Sequence, residues 1–468
     1  MVHKSIEIKR RAFLAQCGLG LGGIALSDLL LEGAPGPAVA PKAKRVIYLH
    51  MAGSPPQQDL FDYKPKLTEF NGKKCPKEFI EGKRLAFIKG HPTLLGAPHP
   101  FRPMGGNSLM VSKLFPHFEK IIDDVTIIRS MHTDQFNHAP AQLMLHTGSM
   151  QFGAASMGSW VSYALGSENK NLPSYVVMVS GSKDPSAGKA LWGSSFLPSQ
   201  HQATRLRSKG APILYLDNPK GLNRADRRRT LDAIGDLNRA EAEACGDREV
   251  LARIEQYELA YRMQSSVPNA VDLKKESPKT LERYGAKPGA GSFANNCLMA
   301  RRLVEEGVRF VQLFDWGWDI HGTAKHDDLI SQFPKKCAQV DRPIAALVQD
   351  LKERGLLDDT LVIWGGEFGR TAMNEKRNGS KFLGRDHHPD CFTMWMAGGG
   401  VKKGYVHGET DELGYTVAKD PVSVRDLQNT ILHLLGQDAH RLSYPFMGLN
   451  QRLIGPAGEG TVQYDLLA

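Results

Sequence analysis

The stretch RVIYLHMAG, residues 45–53, is a β-branched and aromatic run that stops at a glycine, and it predicts a strand with no water-facing side. Five more runs read the same way: VTIIRSM (125–131), SYVVMVSG (174–181), RFVQLFD (309–315), TLVIWGGEFG (360–369) and CFTMWMAGGG (391–400). Each is apolar on both faces, as strands must be when helices cover both sides of a sheet. Helical patterns alternate with them: LFPHFEKIIDD before the second, NNCLMARRLVEEGV before the fourth, CAQVDRPIAALVQDLKERG before the fifth and VRDLQNTILHLLG (424–436) after the last. This alternation predicts an α/β chain whose mainly parallel sheet is sandwiched by helices. Residues 220–290 break the rhythm with a long polar helical stretch, RADRRRTLDAIGDLNRAEAEA and onward. We read it as a helical insertion that covers or borders the sheet, with its RRR on a solvated helix face.

The 468 residues, 41% hydrophobic and 23% charged, suffice for a large core. The net charge of +9 comes from scattered basic residues without interleaved aromatics, so no nucleic-acid partner is expected. The six cysteines form no C-x-x-C pair, so neither a zinc finger nor a disulfide framework is indicated, and buried free thiols are the default. Nothing in the sequence speaks to oligomeric state.

The N-terminal segment IKRRAFLAQCGLGLGGIALSDLLL sets Arg10 and Arg11 ahead of a modest apolar run, and it resembles a twin-arginine export signal. The run is interrupted at Asp28 and is too short for a permanent membrane span. A small-residue site, Ala38-Val39-Ala40, follows, with Pro41 directly after it. The expected layout is a signal peptide over 1–40, a single α/β domain over 41–468, and a periplasmic or secreted location. Twin-arginine export carries proteins already folded, which suits a chain that loads a metal beforehand.

In an open α/β sheet, ligands sit at the carboxyl ends of the strands, so polar residues just beyond the strand runs matter most. The first run is followed by Asp59 and Asp62, and the second by His132, Asp134, Asn137 and His138. The fourth is followed by Asp315, Asp319, His321 and His326, and the fifth by Glu367 and then GRDHHPDCF (384–392), with Asp386, His387 and His388. Carboxylates and imidazoles converging from several strand ends suit a divalent metal: anionic oxygens offset its charge and neutral nitrogens add directional donation. On a strand, residues two apart share a face, so Asp319 and His321 can reach one ion if their segment is extended. Neighbouring side chains point to opposite sides, and Pro389 biases His388 toward an extended backbone. One of the two adjacent histidines, with Asp386, is therefore expected in the site.

The twin-arginine start, WDIHG, GGEFGRT, GRDHHPDCFTMWMAGGG, HGETDELG and DLQNTILHLLG together look like a bacterial exported family classed as a domain of unknown function. That family is grouped with the alkaline phosphatase and sulfatase superfamily, and the match runs from near residue 45 to the end. The resemblance implies an alkaline-phosphatase-like fold with Asp59 as the metal-binding Asp after the first strand and Asp62 as its substitute. HAPAQLMLHTG matches the superfamily helix that opens with the nucleophile, which puts His138 where the superfamily has Ser, Thr or Cys. His138 is then a metal ligand, a general base or a nucleophile, and Asn137 beside it can position a substrate oxygen.

Glu367 keeps a carboxylate where the superfamily has Asp, while Phe368 replaces a coordinating His. Of His387 and His388, the one not taken as ligand is expected to replace that lost imidazole or to face the substrate. Arg370 and Arg385 flank the site and can bind an anionic oxygen. No Cys-x-Pro-x-Arg or Ser-x-Pro-x-Arg occurs, which disfavours an ordinary sulfatase. The expectation is an exported metal-dependent hydrolase of small phosphate or sulfate esters, holding one or two divalent ions among Asp59, Asp319, His321, Glu367, Asp386, His387 and His388. Zinc suits the imidazoles; calcium, magnesium or manganese would suit the carboxylates. The alternative is a non-catalytic metal- or anion-binding protein on the same fold.

Overall fold

A computed structural model describes residues 38–468 except 84, 182, 215, 246 and 247. The proposed export segment, with Arg10 and Arg11, lies outside the described residues apart from its last three. All six predicted runs form strands of one sheet: β1 (Arg45–Ala52), β2 (Val125–His132), β3 (Tyr175–Ser180), β5 (Phe310–Trp316), β6 (Thr360–Gly365) and β7 (Phe392–Ala397). Three short strands complete it: β4 (Thr204–Leu206), β8 (Tyr405–His407) and β9 (Val422–Ser423). The nine strands run in the order β8-β2-β7-β6-β1-β5-β3-β4, with β9 also paired to β2.

The pairs β1 with β5, β1 with β6, β3 with β4, β3 with β5, and β2 with β8 and β9 are parallel. Only β7 runs against its neighbours β2 and β6. This reversal has a functional consequence. The segment that leads into β7, residues 384–391, arrives at the same edge as the segments that leave the parallel strands.

The strand side chains alternate between two cores. Ile47, Leu49, Met51, Val311, Leu313 and Val362 pack with Leu298 and Leu303 of α4 (Phe293–Glu305) and with Ile344 and Leu347 of α5 (Phe333–Glu353). Val46, Tyr48, Phe314, Ile363 and Met394 pack on the other face with Leu143 and Leu145 of α1 (His138–Thr147) and with Leu427 and Ile431 of α6 (Val424–Leu434). Burying a Leu- or Ile-sized side chain contributes about 1.5–3 kcal/mol, so each helix is held mainly by its apolar stripe. A capping box between Ser423 and Asp426 starts α6 where β9 ends.

The polar stretch 220–290 folds largely as α2 (Arg224–Cys245) and α3 (Arg248–Ala270). Arg228 pairs with Asp232 on its own helix and with Glu258 on α3, and Arg229 pairs with Asp226. Of the cysteines described, Cys75, Cys297, Cys337 and Cys391 are buried free thiols, while Cys245 is exposed at the end of α2.

Asp341 on α5 sits in the first core with its Oδ2 accepting the His117 backbone N–H at 2.8 Å and its Oδ1 without a partner. Burial pushes its carboxyl up to about 7. The folded-state pKa therefore lies above the unfolded one. The stabilising contribution is complete below about pH 4 and is lost as pH rises through 7. Asp341→Asn should accordingly flatten the fall of unfolding free energy between pH 4 and 8 by about 3 kcal/mol. Urea unfolding at several pH values measures it, and parallel profiles for the two proteins would refute it.

Candidate metal centre

The site begins with the way β1 ends. Gly53 has φ +104°, and a Cβ there would lie 2.5 Å from the Asp319 backbone nitrogen, so only glycine lets this turn close on the segment beyond β5. Ser54, at φ +62°, turns its Oγ to accept the backbone N–H groups of Glu367 and Phe368 at 3.0 and 3.1 Å. In return the Gly53 N–H donates to Glu367 Oε1 at 3.1 Å. Gln142, one turn into α1, adds its Nε2 at 3.0 Å to the same oxygen. Burial alone would raise the Glu367 carboxyl, but the bond from His138 and the His50 ring beside it hold it well below the usual carboxylate range.

Asp319 is the hub. Its Oδ1 lies 2.8 Å from His321 Nε2, 3.1 Å from His387 Nε2 and 2.6 Å from Arg370 Nη2, and its Oδ2 lies 3.2 Å from His138 Nε2. Each imidazole is held from behind through Nδ1: His138 by Glu367 Oε1 at 2.7 Å, His321 by Glu375 Oε2 at 2.5 Å and His387 by the Phe136 carbonyl at 2.7 Å. Arg377 Nη2 also lies 3.1 Å from His321 Nδ1, but the shorter carboxylate contact claims the proton there.

Two carboxylates and a carbonyl can only accept, so all three rings carry their proton on Nδ1. Their Nε2 lone pairs then face an anionic carboxylate, which is repulsive unless a cation or extra protons lie between. His138 Nε2 is buried and makes no hydrogen bond.

This arrangement fits a divalent ion. His138, Asp319 and His387 each offer an atom within 4.8 Å of the others, and each ring has the second acceptor that orients metal-bound histidines. Without an ion, the surrounding carboxylates favour added protons on His138 and His321. Burial would lower His138, yet the adjacent Asp319 and Glu367 carboxylates outweigh it and raise the ring to about 9. Burial likewise opposes, and Asp319 and Glu375 prevail in raising, His321. Burial and the Arg370 charge instead push His387 down to about 3.

The structure brings Asp319, His321, Glu367, His387 and His138 together and sends other expected residues elsewhere. Asp59 is fully buried in a two-pronged pair with Arg385, at 2.7 and 2.9 Å, so neither residue faces the cluster. Asp62 is taken up by Thr410 and Lys64, and Asp315 by Lys336 and Trp318. Asp386 accepts the backbone N–H groups of Phe87, Ile88 and His387, which leaves no role as a ligand. It staples the loop that sets Phe87 edge-on to the His321 and His387 rings.

His388 turns away: its Nε2 lies 2.5 Å from the Tyr415 carbonyl and its ring stacks on Tyr415. The cause is a two-residue bridge pairing Gly369 with His388 and Arg370 with His387, on which adjacent side chains leave opposite faces. His388 therefore neither replaces the imidazole absent at Phe368 nor faces a substrate. Phe368 itself packs against both the His138 and His387 rings, which also meet each other.

Arg370 is buried and donates to the carbonyls of Gly53, Ser54 and Arg385 as well as to Asp319, so it holds the hub and is not free to bind an anion. Asn137 precedes α1 with its side chain exposed and making no capping bond.

His50, Gln142, His146 and Glu375 are additions that sequence reasoning missed. His138, Gln142 and His146 recur at i, i+4 and i+8 within HAPAQLMLH, a polar stripe on one helix face that was open to reading. His50 was visible as a polar residue inside a buried strand run. Glu375 had no signal.

Fold and centre together define an α/β protein that gathers imidazoles and carboxylates from several strand ends into one metal-capable group. The chain belongs to the family described as "Protein of unknown function (DUF1501)", whose model matches residues 43–463. No curated protein matches it. Among solved structures, PsFucS1 sulfatase from Pseudoalteromonas sp. aligns at 15% identity and TM-score 0.37 over 93% of this chain and 75% of that one. A TAB5 alkaline phosphatase mutant with Mg bound in its M3 site aligns at 12% identity and TM-score 0.35, over 85% and 99%. The phosphonate monoester hydrolase SpPMH from Silicibacter pomeroyi aligns at 12% identity and TM-score 0.33, over 75% and 71%. Among the described residues, no helix is long and apolar enough to cross a membrane.

Proposed function

We propose that the protein is an exported, metal-dependent hydrolase of small phosphate or sulfate esters, with His138, Asp319 and His387 holding one ion. A single observation carries the metal: rings fixed from behind through Nδ1 present their Nε2 lone pairs to one carboxylate, an arrangement with no neutral, ion-free resolution. Zinc suits the imidazole share of this donor set. His321 stands beside the trio on the Asp319 oxygen, available as a further ligand or as a proton donor to a leaving oxygen.

The Asp319 side chain is 25% exposed, so a small molecule can reach the group from solvent. A divalent ion bound there supplies Lewis acidity toward an ester oxygen and lowers the pKa of a water. The ester class rests on the motif resemblance of the α1 segment, and export on the twin-arginine pattern.

Because Arg370 and Arg385 are committed inside the protein, neither is left to hold an anionic oxygen. That observation favours the second reading, a metal-binding protein without turnover. Elemental analysis, zinc titration and a screen of phosphate mono- and diesters and sulfate esters decide between them. The expected result is one zinc per chain, turnover of one ester class, and His138→Ala weaker in zinc binding by about tenfold or more and slower by about 10²-fold. Zinc without turnover would favour the binding reading, and no zinc would overturn both.

A further inference from the structure

Behind Glu367, on the side away from Asp319, runs a line of polar side chains that the metal centre does not use. His50 Nε2 lies 3.3 Å from Glu367 Oε2, His146 Nε2 lies 3.2 Å from His50 Nδ1, and Gln312 Nε2 lies 3.0 Å from His146 Nδ1. Tyr175 Oη bonds to Gln312 Oε1. All four side chains are at most 2% exposed and sit among apolar residues of the second core, where leucine or phenylalanine would fill the space.

The carboxylate sets the direction of the line. Glu367 only accepts, so the His50 nitrogen facing it carries the proton; that contact is off-axis, and no other acceptor takes this nitrogen among the described residues. Accepting in turn at Nδ1, His50 requires His146 to donate from Nε2. His146 must in turn accept at Nδ1, which requires the Gln312 amide to present its NH₂ there. Its oxygen is left for the Tyr175 hydroxyl, which donates. Burial keeps His146 neutral, so the one-proton bookkeeping holds at that ring.

We infer that His50, His146, Gln312 and Tyr175 form a one-way chain of donors ending at Glu367 Oε2, which holds the carboxylate with Oε1 toward His138, so that His138 keeps a proton on Nδ1 and turns its Nε2 lone pair toward the Asp319 group. The four are positioning residues. Their arrangement stands on the geometry alone, and its use, aiming a ligand nitrogen, rests on the metal-centre reading.

The test uses the full-length protein, with ¹⁵N-labelled histidine and NMR to read imidazole tautomers, and zinc titration to read affinity. In the metal-free wild type, His50 and His146 should both be Nε2–H tautomers, and in the zinc-loaded protein His138 should keep Nδ1–H. Gln312→Glu places an acceptor against His146 Nδ1 and should reverse both rings, turning a lone pair on Glu367 and raising the zinc Kd by about tenfold or more. Tyr175→Phe should leave both tautomers as they are.

An Nδ1–H tautomer at His50 or His146 in the wild type would overturn the inference. So would Gln312→Glu that reverses the rings and leaves the zinc Kd unchanged. If Gln312→Glu does not fold, Gln312→Met replaces it: with Glu367 still setting the direction, both rings should stay Nε2–H, and a switch to Nδ1–H at either would overturn the inference. Wild type with the expected tautomers but no zinc binding supports the chain and refutes the metal centre, so the two failures are distinguishable.

Discussion

Asp59→Ala should lower the unfolding free energy by about 4 kcal/mol while leaving the zinc affinity of the folded protein within a factor of about two. The Asp59–Arg385 pair is fully buried on both sides, with two parallel contacts at 2.7 and 2.9 Å. Deleting the carboxylate strands a guanidinium that, among the described residues, keeps the Thr371 carbonyl alone, and an uncompensated buried charge is what makes a broken buried pair costly. Replacing both partners, as Asp59→Leu with Arg385→Met, should recover most of the loss, because desolvating two charges and pairing them nearly cancel. Urea unfolding measures the stability and calorimetric titration the zinc. A ligand at Asp59 would show the reverse pattern, with lost zinc affinity and little change in unfolding.

Asp319→Asn is the complementary case and should abolish the centre. The amide takes away the one anionic oxygen pair that the three imidazoles and Arg370 share. Zinc affinity should fall by about 10²-fold or more, beyond the usual cost of disturbing an outer partner. Stability should also fall, by about 2 kcal/mol, because Arg370 is buried and loses the carboxylate it pairs with, while the quarter exposure of Asp319 lets water offset part of the loss. The same titration and urea curves serve, and unchanged zinc binding would remove Asp319 from the site.

Much of the fold was legible because local chemistry repeats it. Doubly apolar strand runs and alternating helical patterns follow from burying both faces of a sheet, and that requirement acts residue by residue along the chain. The meeting of Asp319 and His321 was legible for a similar reason, since two-residue spacing puts both on one side. The stripe of His138, Gln142 and His146 was equally present in the helical period, although only its first member was read.

Other features depended on partners far away in the chain. Asp59 has the residue type and position of a ligand, yet Arg385, 326 residues away, takes it. Arg370 looked free to bind an anion until the carbonyls of Gly53, Ser54 and Arg385 closed around it. Asp386 is spent on backbone N–H groups of a loop that no local pattern places beside it.

The sequence by itself determined that this is an α/β protein with helices on both sides of a mainly parallel sheet, and that imidazoles and carboxylates collect at one edge of it. It also determined that one of two adjacent histidines must turn away, because an extended backbone alternates its side chains. Only the tertiary structure decided which one. The bridge that pairs Arg370 with His387 sets the register, and a shift of one residue would have sent His388 to Asp319 instead. Register, and the choice of partner for each buried charge, depend on contacts between segments hundreds of residues apart, and no periodicity within either segment encodes them.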